Sequence, residues 1–382
     1  MLTNADIAEL TDWRRDLHRF PELSGEERET AARVVAALAA TRPDQVVTGL
    51  GGHGVAAVWH GDAPGQTVLF RAELDALPID EVGQPDWRST LPGKGHMCGH
   101  DGHMAILLAL ARLIARKRPA TGRVILLFQP AEETGAGAAA VLADARYPAL
   151  KPDWAFALHN LPGLTFGHAT LRAGTMMCAS QGMRVQLTGK TAHASMPESG
   201  TSPVHAVARL IPALLALGPG GALTPDFRMI TITHARIGEA AFGISPGYGE
   251  LWAKLRTRED GPMAALRAEA EVLVRAEAAK DGLAVSFVTR DDFAATVNDA
   301  GAITRLVLAM DALNIPHGDD HLPLRGSEDF GRFGVEGTRM AMMFVGSGEK
   351  HPQLHNPDYD FPDGLIALGA RLFQRVMTDI LG

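Results

Sequence analysis

Apolar residues recur at helical spacing from the start of the chain. Ile7, Leu10, Trp13 and Leu17 form one stripe of a segment from about Ala5 to Arg19, which stops before Pro21. Ser24 with Glu27 makes a capping-box pattern ahead of an Ala/Val-rich helix that reaches about Ala40. Short β-rich runs follow at Gly54–Trp59 and Thr67–Arg71, and the second leads straight into AELDALP. Residues Ile79–Lys94 are rich in Pro, Gly and Asp and read as loop. A helix is expected from Met104, then a strand Arg123–Gln129 ended by Pro130. A Gly/Ala-rich helical segment after Glu132–Glu133 and a strand Trp154–Leu158 ending in His159–Asn160 complete this part. Strands alternating with helices predict an α/β fold, a mostly parallel sheet covered by helices on both faces.

The pattern changes near Gln181. Strand Met183–Thr188, helix Pro203–Leu217 (with Ser202 as cap), strands Met229–Ile237 and Glu250–Arg256, helix Pro262–Ala279 and strand Leu283–Thr289 follow in turn. This βαββαβ order is that of the ferredoxin-like α+β unit. After Asn298 the earlier style resumes with a helix Gly301–Leu313, a strand Met340–Val345, a polar cluster Gln353–Asp360 and a closing helix from about Asp363. The expected domains are therefore 1–180 and 296–382 together, with 181–295 inserted between them.

A chain of 382 residues exceeds the size at which one core stops growing, in keeping with two domains. The net charge of −8 is spread along the chain without a long basic run, so neither nucleic acid nor an anionic membrane is an expected partner. The N-terminal stretch has scattered acidic residues and no apolar core of a signal peptide. The longest apolar run, Met104–Ala115, is interrupted by Arg112 and falls short of the roughly 20 residues of a membrane helix. Two cysteines, Cys98 and Cys178, are too few for a disulfide framework. A reducing, cytoplasmic location is the expectation, and a thiolate metal ligand would survive there.

The densest chemistry lies in GHMCGHDGH, Gly95–His103. Cys98 and His100, two apart, would face one side of an extended chain and form a first claw for a transition metal. The flanking glycines let the backbone fold tightly around an ion. Taken alone, the pair reads equally well as a small buried Cys beside a hydrogen-bonded His. Glu132–Glu133 follows a buried-looking strand, where ligands of open α/β sheets collect. The bland reading of that pair is a solvated helix N-terminus; the chemical one is a metal ligand beside a base. His159 and His355 bring the set to Cys, His, Glu, His and His, more than one tetrahedral zinc needs and suited to two metals sharing a bridging water. Asp75 and Asp101 are candidates to orient those imidazoles, and His96 and His103 read as support. His193, in the inserted domain, would serve as a hydrogen-bond donor to a developing oxyanion.

The motifs CGHDGH, FQPAEE, the strand-ending HN, GKTAHASMP, GSEDF and LHNPDYDF, in that order, resemble the M20 metallopeptidase family. The resemblance is to the branch containing hippurate hydrolases, N-acyl-amino-acid amidohydrolases and auxin-conjugate hydrolases, and it extends to DLHRFPELSGEE and FRAELDALPI. It implies a zinc-peptidase-like catalytic domain with an inserted lid or dimerisation domain, and a two-metal site. Carried over, Cys98, His100, Glu133, His159 and His355 are the implied metal ligands and Glu132 the implied general base. His193 resembles the lid histidine that in family dimers reaches the partner subunit's site, so a homodimer is implied. Arg256 and Ser327 are candidates to bind a substrate carboxylate. In the wider family a His stands where this chain has Glu73 and an Asp where it has His100, a departure typical of the branch. The family's NVIPD appears here as GISPG, Gly243–Gly247. The implied reaction is hydrolysis of the amide bond of an N-acyl amino acid or related small conjugate, with zinc, manganese, cobalt or nickel. A dipeptidase or carboxypeptidase on the same scaffold is the alternative, and a non-catalytic binding protein is disfavoured by the intact ligand and base set.

Overall fold

A computed structural model describes residues 1–335 and 337–382. Two compact units emerge. The first comprises Met1–Met176, Thr296–Leu322 and Glu328–Gly382; the second comprises Met177–Ala295 together with Pro323–Ser327.

In the first unit, helices α1 (Asn4–Arg19) and α2 (Arg28–Ala39) precede strands β1 (Gln45–Leu50), β2 (Gly54–His60) and β3 (Ala63–Glu73). Helix α3 (His100–Arg116), strand β4 (Thr121–Gln129), helix α4 (Gly137–Ala143) and strand β5 (Trp154–Pro162) follow. The sheet runs β1-β2-β4-β3-β5, then Arg339–Gly348 and the short strands Ala169–Thr170 and His317–Gly318. β4, β3, β5 and Arg339–Gly348 are mutually parallel, whereas β1 and β2 pair antiparallel at one edge and Ala169–Thr170 at the other. Parallel strands at the centre are buried on both faces, which explains their near-continuous apolar runs. Val68, Phe70, Ala72, Val124, Leu126 and Phe128 join a core with α1, α2, α3 and the later helices of this unit, and the alternate residues Leu69, Ile125 and Leu127 are equally buried.

In the second unit, Ala179–Thr188, helix α5 (Val204–Leu217), Arg228–Ile237, Tyr248–Thr257, helix α6 (Asp260–Ala279) and Ala284–Phe293 give the βαββαβ order. The four strands are all antiparallel, with Tyr248–Thr257 and Ala179–Thr188 central. Leu210 and Leu214 of α5 and Leu266, Ala270 and Val274 of α6 pack with Val185, Leu187, Leu251 and Leu255 into a separate core. The chain returns to the first unit through α7 (Ala300–Leu313) and ends in α8 (Leu365–Leu381). No helix among the described residues is long and apolar enough to cross a membrane.

Three local expectations are corrected. Ser24 and Glu27 form no capping box: α2 starts at Arg28, Ser24 Oγ donates to Asp75 Oδ2 at 2.6 Å, and Glu27 Oε1 accepts from the Ala131 amide at 2.8 Å. Helix α3 begins at His100 rather than Met104, because Gly99 adopts the left-handed region (φ 91°) and closes the turn that carries Cys98. Cys98 and His100 therefore stand on a turn and a first helical residue, not on an extended strand. β5 also continues past His159 to Pro162. A Cβ at Gly102 would run into the Phe361 ring. Gly102→Ala should accordingly cost about 1–3 kcal/mol of overpacking, read as a lower urea midpoint; an unchanged midpoint would show that the ring moves aside freely.

Candidate active site

The carboxyl ends of the central strands build the site, as expected for an open α/β sheet. β3 ends at Glu73 and leads to Asp75; β4 ends at Gln129 and leads through Pro130 to Glu132–Glu133; β5 carries His159. α3 contributes His100 from its first turn, and the loop after Arg339–Gly348 contributes His355. His355 holds a left-handed conformation (φ 65°), its amide donating to the Met97 carbonyl at 2.8 Å beside Cys98.

Six side chains of the first unit converge. Cys98 Sγ lies 3.4 Å from His159 Nε2, and His100 Nε2 lies 3.8 Å from both Glu132 Oε2 and Glu133 Oε1. His355 Nε2 is 3.7 Å from Glu133 Oε2. Three sets, Cys98/His100/His159, Cys98/Glu133/His355 and His100/Glu132/Glu133, each bring their donor atoms within 4.8 Å of one another. His100 Nε2 and Glu133 Oε1 are buried without a hydrogen-bond partner. Burial pushes Glu132 well above the usual carboxylate range, with the charges of Glu328, Glu133 and Asp329 adding and Arg71 opposing. Burial likewise raises Glu133 to about 7 against the charge of His100, and it raises the Cys98 thiol. Imidazole, thiol and carboxylate donors packed together, short of positive charge and partly unbonded, fit a divalent cation.

The imidazoles are aimed by their outer nitrogens. His100 Nδ1 donates to the Asp75 carbonyl at 2.8 Å, with Asp75 Oδ1 at 3.5 Å. Burial lowers His100, yet Asp75 and the charges of Glu73 and Glu133 outweigh it and push its pKa up to about 10. His159 Nδ1 donates to the Asn160 carbonyl at 2.7 Å. Asp75 also receives the Glu133 amide on Oδ2 at 3.0 Å, so one residue fixes two neighbours, His100 through its carbonyl and Glu133 through its carboxylate. Asp101 departs from its expected role. It receives Arg14 Nη1 at 3.1 Å and His18 Nδ1 at 2.9 Å rather than a candidate ligand, because the first turn of α3 points it toward α1.

The remaining expected residues belong to the second unit. His193 is exposed and its Nδ1 lies 2.7 Å from Ser195 Oγ. Arg256 Nη1 donates to Ser327 Oγ and to the Arg325 carbonyl, both at 2.8 Å.

A buried polar network beneath the site was not anticipated. Arg71, fully buried on β3, pairs with Glu73, with Glu328 Oε1 at 2.7 Å and with Asp329 Oδ1 at 2.6 Å, and its Nε donates to Gln129 Oε1 at 3.0 Å. Glu73 Oε2 continues to His103 Nδ1 at 2.6 Å, and His103 Nε2 lies 2.6 Å from Asn160 Oδ1. Asn160 Nδ2 in turn donates to Tyr359 Oη at 2.5 Å. The signal was present as an arginine and a glutamate in an otherwise apolar strand, LFRAE.

Comparison finds known proteins similar to this chain. N-acetyl-L-cysteine deacetylase of Bacillus subtilis is 39% identical over 206 residues, 53% of this chain and 48% of that protein. IAA-amino acid hydrolase ILR1-like 4 of Arabidopsis thaliana is 30% identical over 100% of this chain and 88% of its own length. The crystal structure of the Bacillus subtilis YXEP protein, described as a dinuclear metal binding peptidase, shares the fold. Its TM-score is 0.81 at 24% identity, over 100% of this chain and 99% of that one. Fold, donor set and relatives define the class, a hydrolase acting on amide bonds with a site suited to divalent metal. Residues 69–379 match Peptidase family M20/M25/M40, and the chain belongs to that family.

Two predictions come from the buried charges. Arg71→Met would leave Glu73, Glu328 and Asp329 without their shared cation and should cost about 3–5 kcal/mol in urea unfolding; a change under about 1 kcal/mol would discount the network. His18 lies between Asp101 and Glu81 (Nε2–Oε1 3.3 Å), and although burial lowers it, those bonds raise its pKa from 6.5 to about 9. Its stabilisation is complete below pH 6.5 and disappears as pH rises through about 9. His18→Gln should therefore flatten the decline of Tm across that window, and an unaltered slope would place the titration elsewhere.

Proposed function

We propose that this protein hydrolyses the amide bond of N-acyl amino acids or related small amide conjugates. The observation that carries the reading is the pair Glu132–Glu133, both carboxylates facing His100 Nε2 at 3.8 Å while Glu133 also faces His355. Adjacent acids at one strand end can divide the work of metal binding and proton transfer. Cys98, His100, Glu133, His159 and His355 would hold two divalent ions. When bound, such ions lower the pKa of water to about 7 and polarise a carbonyl oxygen. A thiolate with imidazoles suits zinc, cobalt or nickel, and manganese is the fourth to test.

Glu132 takes a proton from the attacking water as the new carbon–oxygen bond forms. It passes that proton to the amide nitrogen as the carbon–nitrogen bond breaks, releasing the amine and the free acid. Its buried, anion-rich surroundings raise its pKa and suit a carboxyl that must both accept and release a proton. His193 donates a hydrogen bond to the developing oxyanion, from its own chain or a second copy in a homodimer. Arg256 and Ser327 bind the substrate carboxylate, an assignment supported by a guanidinium whose neighbours are a hydroxyl and a carbonyl. Free Cys98 and Cys178 accord with a reducing, cytoplasmic setting.

Metal-stripped protein refilled with one ion at a time should hydrolyse N-acetyl or N-benzoyl amino acids faster than dipeptides. Glu132→Gln should bind metal at unchanged stoichiometry and lose about 10²–10⁴ in kcat. A Glu132→Gln protein with ordinary turnover would sink the assignment.

A further inference from the structure

We infer that Glu27 is a positioning residue for Glu132, acting through the backbone of Ala131; the inference rests on the proposed role of Glu132. Ala131 occupies the left-handed region, φ 51°, which residues with a side chain avoid. It stands between Pro130, which has no amide hydrogen, and the carboxylate pair. Its amide donates to Glu27 Oε1 at 2.8 Å, and its carbonyl accepts from the Gly137 amide at 3.0 Å. The peptide is thus gripped on both sides, in a conformation that surrounding bonds must enforce. Downstream, Glu132 O accepts from Gly135 N at 2.7 Å and the Glu133 amide binds Asp75 at 3.0 Å. The dihedrals that aim the Glu132 side chain are set within this short segment. A return of Ala131 to the right-handed region would swing the Glu132 carboxylate away from His100.

The grip comes from a segment the reaction otherwise leaves unused. Leu23 bridges to Ala76, the Ala76 amide donates to the Glu22 carbonyl at 2.8 Å, and Ser24 Oγ donates to Asp75 Oδ2 at 2.6 Å. Residues 22–27 are therefore moored to the chain end of β3, and Glu27 extends from that mooring to the end of β4. Glu27 is fully buried, a costly place for a carboxylate. A side chain that only filled space there would be apolar. Its second oxygen, Oε2, is buried without a hydrogen-bond partner; the amides of Gly25 and Glu27 also act on the carboxyl, and Ala131 is the contact that reaches another part of the chain.

The test separates reach from charge. Glu27→Gln keeps the length and an acceptor oxygen, whereas Glu27→Asp keeps the charge but falls a methylene short of the Ala131 amide. Expected are a kcat within about threefold of the parent for Glu27→Gln and at least a tenfold lower kcat for Glu27→Asp. KM and metal content, measured by elemental analysis, should stay within twofold in both. Adding Ala131→Gly to Glu27→Asp should recover kcat at least threefold, because glycine adopts positive φ without the tether. Equal activity of the Asp and Gln variants, equal loss in both, or no recovery by glycine would each overturn the proposal. Glu132→Gln is assayed alongside: if it turns over normally, the reading of Glu132 fails; if it is inactive while Glu27→Asp is unimpaired, only the positioning role fails.

Discussion

A guanidinium buried in a sheet must be surrounded by acids, and Arg71 imposes that requirement on the whole first unit. No water can reach it, so its charge is met by Glu73 on its own strand, Gln129 on β4 and the Glu328–Asp329 pair from the far end of the sequence. Desolvation on this scale is repaid only by near-complete hydrogen bonding. Gln129 and Asp329 bond one another as well, and the Ala138 amide adds to Asp329, so α4 is drawn into the same arrangement. The strand ends are held in register from below, and the donor atoms above them converge with Cys98 Sγ and His159 Nε2 in contact at 3.4 Å.

Rigidity below and frustration above belong together. Glu132, Glu133, Cys98 and His100 lie where burial penalises charge, and His100 Nε2 and Glu133 Oε1 are left without a hydrogen-bond partner. Left to itself, such a cluster would relax by moving apart. It is prevented by attachments outside the cluster: Asp75 on His100 and Glu133, Asn160 on His159, and Met97 on the backbone of His355. Stability is spent at the site and recovered in the network beneath it.

Much of this was legible in the sequence. Alternating apolar strands and helices indicated the sheet, and the change of rhythm near Gln181 indicated a βαββαβ unit. Glu132, Glu133 and His159 were found as polar groups at strand ends, Cys98 and His100 as a closely spaced claw and His355 in a polar loop, and the structure brings those six together. What escaped was pairing at long range. Ser24 and Glu27 match a capping box in spacing, but tertiary acceptors outcompeted the local helix end. Asp101 looked like a carboxylate for a neighbouring imidazole until α1 presented Arg14 and His18 to it. Arg71 needed partners more than 250 positions away, which no local pattern contains. The short edge strand β1 also passed unnoticed, because its exposed residues lack a buried face to mark it.

The distance in sequence between Arg71 and its acids bears on biosynthesis. Glu328 and Asp329 emerge from the ribosome 257 and 258 residues after Arg71, and His355 later still. Until then Glu73, on the same strand, is the one carboxylate of the three paired with Arg71 that has been made, and burial of the guanidinium is less favoured. The cluster at the strand ends is thus complete only once residues up to His355 have been translated. A chain ending before Glu328 would lack two of the three carboxylates around Arg71 as well as the His355 side chain, and incompletely packed chains of this kind are prone to aggregate.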